Sequence, residues 1–408
     1  MTKREHSRSE SARKWLEVGR PETMTRTVSL PSQTISTEEF LLEKPPILRP
    51  TWAEVSLGAL RNNLQKLRKK LLPSVRILAV AKADGYGHGA AAVAHVAGKS
   101  DVWGLGVSSV EEGISLRKGA SDIPILVLGS LYPFESFQAA LRYRLTPTVA
   151  SLEAARVLSK AAQEMEISTP AHLKIETGMG RIGVRPAEAL TILERFRSNA
   201  WIRWEGIYTH LSSAEDDPAW TRRQLAMFRK VVASARKILP THFLAHAANS
   251  AAILRYPESR WNMVRPGLAV YGLLPSFAPA LSLKSRIVFL KTVPARTFIS
   301  YGRTYRTRKS SRIATLPIGY ADGVPRGLSN GMQVLVQGRR CPIVGRITMD
   351  MLMVDVTSLR YVHVGEEVCL IGRQGKEEIS VGDWAERLKT IPYEIVCGIS
   401  SRIPRRYV

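Results

Sequence analysis

A single lysine ends a short apolar run in Ile77-Leu78-Ala79-Val80-Ala81-Lys82, and Ala83-Asp84-Gly85-Tyr86-Gly87-His88-Gly89 follows it. A lysine amine partly withdrawn from water is the nucleophile of Schiff-base chemistry. The glycines leave room beside it for a flat ligand, and Tyr86 adds a hydroxyl. Alone, such a lysine reads better as a side chain snorkelling out of a strand end. Other polar residues recur downstream. Arg181 closes Gly178-Met179-Gly180-Arg181, His210 closes Tyr208-Thr209-His210, and Asn249-Ser250, Arg265-Pro266-Gly267 and Tyr301 follow. Singly these are a surface arginine, a satisfied buried histidine, a helix cap and a core tyrosine. Their order along the chain is what gives them weight.

The chain around these residues alternates in texture. Apolar, strand-like runs fall at 75–81, 103–107, 124–129, 145–149, 171–176, 203–210, 242–247 and 263–268, with helical patterns between them. Ser56 is a good N-cap, and Leu57, Leu60, Leu64, Leu67 and Leu71 follow at helical spacing. Ser151 to Met165 and Pro218 to Ala235 are further helices. Eight strands alternating with helices predict an α/β fold, a (β/α)8 TIM-like barrel over residues 47–285. An open doubly wound sheet is the alternative. No G-x-G-x-x-G motif follows the first strand, which favours the barrel. A barrel places chemistry at the C-terminal ends of its strands, where Lys82, Arg181, His210, Asn249, Ser250 and Arg265 all fall.

Beyond residue 285 short β-rich runs replace the alternation: Arg286 to Val293, Arg312 to Leu316, Gln333 to Val336, Met351 to Val356 and Glu367 to Ile371. A mostly β C-terminal domain over 286–408 is expected. Residues 1–46 are polar and end in Lys44-Pro45-Pro46, which reads as a flexible extension, with Met24 an alternative start.

With 408 residues, 45% hydrophobic and 23% charged, the chain can bury two cores. No apolar run is long enough to span a bilayer, and no secretory signal is read at the start. Cys341, Cys369 and Cys397 are well separated and form no metal-type pair, so a reducing, cytoplasmic setting and no metal are expected. The net charge is +24. Residues 1–46 hold 8 Lys and Arg against 7 Asp and Glu, so the excess is spread over the body. Without a nucleic-acid motif, this reads as a solvated basic surface and not a nucleic-acid interface.

Together, Val80-Ala81-Lys82-Ala83-Asp84-Gly85-Tyr86-Gly87-His88-Gly89, His172-Leu173-Lys174-Ile175-Glu176-Thr177-Gly178-Met179-Gly180-Arg181, Gly206-Ile207-Tyr208-Thr209-His210, Ala248-Asn249-Ser250, Arg265-Pro266-Gly267-Leu268, Ser300-Tyr301-Gly302, Pro317-Ile318-Gly319-Tyr320-Ala321-Asp322-Gly323, Gly345-Arg346-Ile347-Thr348-Met349-Asp350 and Ile391-Pro392-Tyr393-Glu394 resemble the alanine racemases. These are fold-type III enzymes that use pyridoxal 5'-phosphate (PLP). The resemblance runs from about residue 50 to the C-terminus.

It implies a set of roles. Lys82 carries PLP as a Schiff base. Tyr86, Ser250, Gly267, Leu268 and Tyr393 hold the phosphate, with Asn249 beside them. Arg265 faces the pyridine nitrogen. Arg181 reaches the cofactor's phenolic oxygen and the substrate carboxylate. His210 lies by the ring and orients Arg265 and the catalytic tyrosine. Met349 and Tyr320 face the substrate. Tyr301 comes from the second subunit of a homodimer and works with Lys82 as a two-base pair interconverting L- and D-alanine. Lys174 is expected to be carbamylated, the alternative being an ordinary lysine paired to Glu176. The chain departs from the family twice, with Glu176 in place of an aspartate and Thr348 where many members have cysteine. A racemase acting on serine or other amino acids keeps the same chemistry. A non-catalytic, single-barrel PLP-binding protein is a third reading, which the β domain and Tyr301 disfavour.

Overall fold

The computed structural model describes residues 48–119, 121–240 and 242–408. The expected extension over 1–46, with Met24, lies outside the described residues.

Eight parallel strands form one sheet: β2 (Arg76–Val80), β3 (Gly104–Val107), β4 (Ile125–Val127), β5 (Thr148–Val149), β6 (Thr169–Lys174), β7 (Ile202–Tyr208), β8 (Leu244–His246) and β9 (Met263–Val264). Their order is β4-β3-β2-β9-β8-β7-β6-β5. A parallel bridge between Leu126 and Thr146 joins the two ends of that order, so the sheet closes into a barrel. Between the strands lie the helices Ala90–Gly98, Val110–Lys118, Phe134–Arg142, Leu152–Glu164, Pro186–Arg195, Pro218–Ala235 and Ser250–Arg255. Parallel strands covered on both faces have apolar residues at every position. Ile77 and Ala79 of β2 pack outward into the main core, while Leu78 points inward against Leu126, Leu244 and Met263.

Side-chain caps start several of these helices. Ser56 accepts from the Ala59 N–H, Ser109 from Glu112, Ser151 from Ala154 and Asp217 from Trp220. Each satisfies a backbone donor that the first turn leaves free.

The C-terminal half is mostly β. Its larger sheet runs β16 (Arg339–Pro342), β15 (Gln333–Val336), β18 (Glu367–Gln374), β10 (Leu281–Arg286), β1 (Thr51–Val55), β20 (Arg405–Tyr407), with β19 (Glu377–Ile379) on β18. A second sheet orders β11 (Phe289–Val293), β14 (Ser311–Leu316) and β17 (Leu352–Asp355); β12 (Phe298–Ile299) pairs with β13 (Tyr305–Arg306). Thr51–Val55, which precedes the barrel, is a strand of the larger sheet. It pairs antiparallel with β10, Ala53 opposite Leu283, and parallel with β20, Glu54 opposite Arg406. The β half is thus stitched from segments on both sides of the barrel. The Arg49 guanidinium bonds the buried Asp322 carboxylate across the same junction. Among the described residues no helix is long and apolar enough to cross a membrane.

Candidate active site

The C-terminal mouth of the barrel holds a cavity of about 510 Å³. Lys82, Tyr86, Lys174, Arg181, His210, Asn249, Ser250, Arg265, Gly267 and Tyr393 line it. Leu268 follows directly, as the first residue of a short helix. Tyr301, Tyr320 and Met349 do not line it. They lie on the β half, 72%, 43% and 53% exposed.

Lys82 is mounted on an unusual turn. Ala83, Asp84, Gly85, Tyr86 and Gly87 all have φ between 50° and 74°. Three of the five are not glycine, so the backbone stores strain, on the order of 1–3 kcal/mol per residue. Two side-chain contacts hold it, and a third fixes Glu112 in place. Glu112 accepts from the Ala83 N–H at 2.7 Å and from the Ser108 N–H at 2.7 Å. Asp84 accepts from the Ala90 N–H at 2.7 Å. Gly87 must be glycine on a second count, because a Cβ there would lie 2.2 Å from the Val396 carbonyl oxygen.

An anion-sized corner lies beside this turn. Ser250 Oγ accepts from the N–H groups of Gly267 at 2.9 Å and Ala269 at 3.2 Å. The Tyr86 hydroxyl abuts the Gly267 Cα, where a Cβ would come within 2.7 Å of it. Tyr86 packs between Tyr271 and Tyr393, with centroids 4.8 and 5.6 Å away. Burial raises the hydroxyl pKa of Tyr86 and pushes that of Tyr393 up to about 12, so both stay protonated and can donate.

On the other side stands Arg265, fully buried. Its Nη1 donates to His246 Nδ1 at 2.7 Å, and its Nη2 donates to the carbonyls of Thr209 at 2.6 Å and Ala247 at 3.1 Å. Those bonds use three of five N–H groups. Among the described residues the other two, Nε–H and one on Nη1, have no protein acceptor. Burial lowers the arginine to about 10, still charged at neutral pH. His246, and not His210, makes the side-chain bond to Arg265. The Tyr208 ring lies parallel to His246 at 4.7 Å, with the Lys174 Nζ 4.4 Å and the Arg265 guanidinium 5.1 Å from its centroid.

The mouth is strongly cationic. Burial holds His210 well below its ordinary value, and Arg265, Lys174, Arg181 and Lys82 press it lower. Burial and then the same arginines bring Lys174 well below its ordinary value, which favours the neutral amine. Glu176 does not pair with Lys174. Its carboxylate takes the backbone N–H groups of Gly178, Met179 at 2.6 Å, Gly180 at 2.9 Å and Arg181 at 3.4 Å. Burial alone would raise its pKa, but these donors bring it below the ordinary range. The longer side chain therefore caps the loop that carries Arg181.

The sequence reading singled out neither Tyr208, His246 nor Glu112. Tyr208 and His246 are inward-facing polar residues within apolar parallel strands, a signal available at period two. Glu112 sits on an amphipathic helix with no distinguishing spacing.

Such an assembly can anchor an amine-reactive carbonyl at Lys82, an anion at the Ser250–Gly267 corner, and a ring acceptor at Arg265. Comparison with known proteins agrees. The family model for the alanine racemase N-terminal domain matches residues 55–275, and that for the C-terminal domain matches residues 280–407. An alanine racemase of Halothermothrix orenii is 45% identical over 370 residues, covering 88% of this chain and 97% of that protein. One from Nostoc is 40% identical over 365 residues, covering 87% and 95%. The solved alanine racemase of Clostridium difficile superposes with a TM-score of 0.84 at 37% identity, over 89% of this chain and 97% of that one. A mouth of this composition, on this barrel and with these relatives, means that the chain belongs to the alanine racemase family.

Proposed function

We propose that this protein interconverts L- and D-alanine with PLP, as a cytoplasmic homodimer that provides D-alanine for peptidoglycan. The observation that carries the reading is the convergence of Lys82, Arg181, Arg265 and the Ser250–Gly267 corner on one cavity. The cofactor fits that donor set. Gly267 keeps open a corner that a Cβ would fill. Tyr86, Ser250 and Tyr393 offer hydroxyls there for a phosphate, with Gly267, Leu268 and Asn249 alongside. Arg265 keeps two N–H groups for a ring nitrogen. When bound, PLP supplies an electron sink that acidifies the α-C–H of an attached amino acid.

The protein's own groups do the rest. Racemisation removes a proton from one face and returns one to the other, so two acid–base groups must flank the α-carbon. Lys82 Nζ moves the proton on one face. The hydroxyl of the partner subunit's Tyr301 moves it on the other, which accounts for a tyrosine 72% exposed in its own chain. Arg181 orients the substrate carboxylate, and Met349 and Tyr320 of the partner rim narrow the entrance. Arg265, still charged at neutral pH, keeps the ring nitrogen unprotonated and favours proton exchange over transamination. His210 stays neutral beside Arg265, Arg181 and Lys82. Lys174, buried with a neutral amine, is set to take up CO2. As a carbamate its negative charge would balance Arg181 and Arg265. Two domains meeting near residue 285 complete the reading.

The test is direct. The purified protein should show the absorbance of PLP bound to lysine and convert L-alanine to D-alanine well ahead of L-serine and L-lysine. Bound PLP without racemisation of any of the three would overturn it. Intact mass under native conditions should include one added CO2 at Lys174, and an unmodified lysine in bicarbonate would remove the carbamate.

A further inference from the structure

Behind Arg265 a chain of buried polar groups runs away from the cavity. His246 Nε2 lies 2.8 Å from His172 Nδ1, and His172 Nε2 lies 3.4 Å from the Glu205 carboxylate. Both histidines are wholly buried, while Glu205 is partly exposed. Glu205 sits three residues before Tyr208 on β7, about 10 Å further down the strand, and does not line the cavity.

The two ends of this chain set its direction. A guanidinium can only donate and a carboxylate only accepts. Arg265 therefore donates to His246 Nδ1, which must carry a lone pair. His246 then holds its proton on Nε2 and donates to His172 Nδ1. His172 in turn holds its proton on Nε2 and donates to Glu205. Any other tautomer sets two protons or two lone pairs against each other at one junction.

The surrounding packing makes room for this arrangement. His172 is in register with Gly206 of β7. A Cβ on Gly206 would lie 2.7 Å from both His172 Nδ1 and Cε1. Trp103 packs on the other side of the ring, with centroids 6.3 Å apart. The groups facing the chain also fit. Glu205 and Arg265 face His172, and Arg265, His172 and Lys174 face His246. Burial lowers both imidazoles below their ordinary value and keeps them neutral. His172, Arg203 and Arg76 offset the burial of Glu205 and hold its carboxyl ionised.

We propose that Glu205 is a positioning residue for Arg265. Acting through His172 and His246, it fixes both imidazoles as Nε2–H tautomers, so that the lone pair of His246 holds the guanidinium toward the cofactor ring. The sequence does not mark Glu205, and it touches neither cofactor nor substrate. The inference rests on the reading of the cavity as a PLP site only for its second measurement.

The first measurement is nitrogen NMR of the holoenzyme with ring-15N histidine. His172 and His246 should both appear as neutral Nε2–H rings from pH 6 to 9. An imidazolium or an Nδ1–H ring at either position would overturn the proposal, whatever the protein binds. The second compares two variants. Glu205→Gln keeps an acceptor for His172 and should retain both tautomers and a PLP dissociation constant within about twofold of the parent. Glu205→Leu removes the acceptor and should release the His172 tautomer and weaken PLP by about tenfold. Its kcat should fall while KM for alanine holds. Equal PLP affinity in the two variants, with both folded, would refute the coupling. No PLP binding by the parent protein would instead refute the proposed function and leave the tautomer result standing.

Discussion

The barrel mouth and the rim of the β half treat their polar residues in opposite ways. At the mouth, Lys174, Ser250 and Arg265 are buried and Lys82 is half-buried, each held by packing or by named hydrogen bonds. On the rim, Tyr301, Tyr320, Met349 and Met351 stand in solvent, with 43% to 72% of their surface exposed. Exposed large side chains grouped in this way are what the proposed dimer would cover. On the proposed function, one chain would carry the cofactor cradle and only half of the proton-transfer pair. What each region contributes can be separated by breaking one at a time.

The largest effect is expected at the mouth. If Lys82 is both cofactor anchor and base, as proposed, Lys82→Ala should lower racemisation by roughly 10³-fold or more. The lysine-linked PLP absorbance should disappear with it. Retained absorbance would move the anchor elsewhere. Tyr301→Phe breaks the rim alone. It should lower kcat by about 10²–10⁴-fold, with PLP absorbance and melting temperature unchanged. If it also released PLP, the rim would belong to the cradle and the division would fail.

Acidification should sharpen the contrast. His88, held near 4 by burial, His172 and His246 are buried in the barrel and His210 is half-buried there, all with lowered values. The unfolded chain binds protons at these sites below about pH 6.5, where the folded one does not. Stability therefore falls as pH drops from that point toward the folded values. Melting curves between pH 7 and 5 should show the loss. A rise in melting temperature over that range would contradict the burial of these rings.

A smaller effect is expected from Glu176→Ala. It uncaps the loop behind Arg181 and should raise KM for alanine severalfold while kcat changes little. The Glu176→Asp variant, reaching the same N–H groups less well, should fall between. Smallest of all, removing residues 1–46 should leave kcat and melting temperature unchanged, since both family matches begin at or after residue 55. A clear loss in either would give the segment a role.

The barrel was legible because its signals are local. Each strand is a short apolar run and each helix has its own period, and Pro218–Ala235 matches its expected limits. Lys82 was legible because it interrupts such a run. Thr51–Val55 was not, because its partners lie more than 220 residues away and its own pattern gives no hint of them. The short hairpin β12–β13 and the strand β19 escaped for a different reason, being made by turns and register more than by composition, while β18 covers the expected run Glu367 to Ile371. At the site, residues that line the cavity could be named from order and motif. Those that hold them could not: Glu112 under the Lys82 turn and His246 behind Arg265 are defined by distances that only folding creates. Glu176 is the instructive case. In the sequence it is only a departure from a motif, and the structure gives it four backbone donors.

On the proposed function a working site needs the barrel of one chain and the rim of another. Lys82→Ala and Tyr301→Ala chains should each be inactive alone. In a heterodimer of the two, one site carries both defects and the other pairs an intact Lys82 with an intact Tyr301. Random equal mixing makes about half of the dimers hetero, so roughly a quarter of all sites should be restored under twofold symmetry. Co-expression of the two chains should therefore recover racemase activity near that fraction of the parent enzyme. Activity no higher than that of the separate variants, with heterodimers demonstrated by mass, would contradict the account and leave Tyr301 to act within its own chain or not at all.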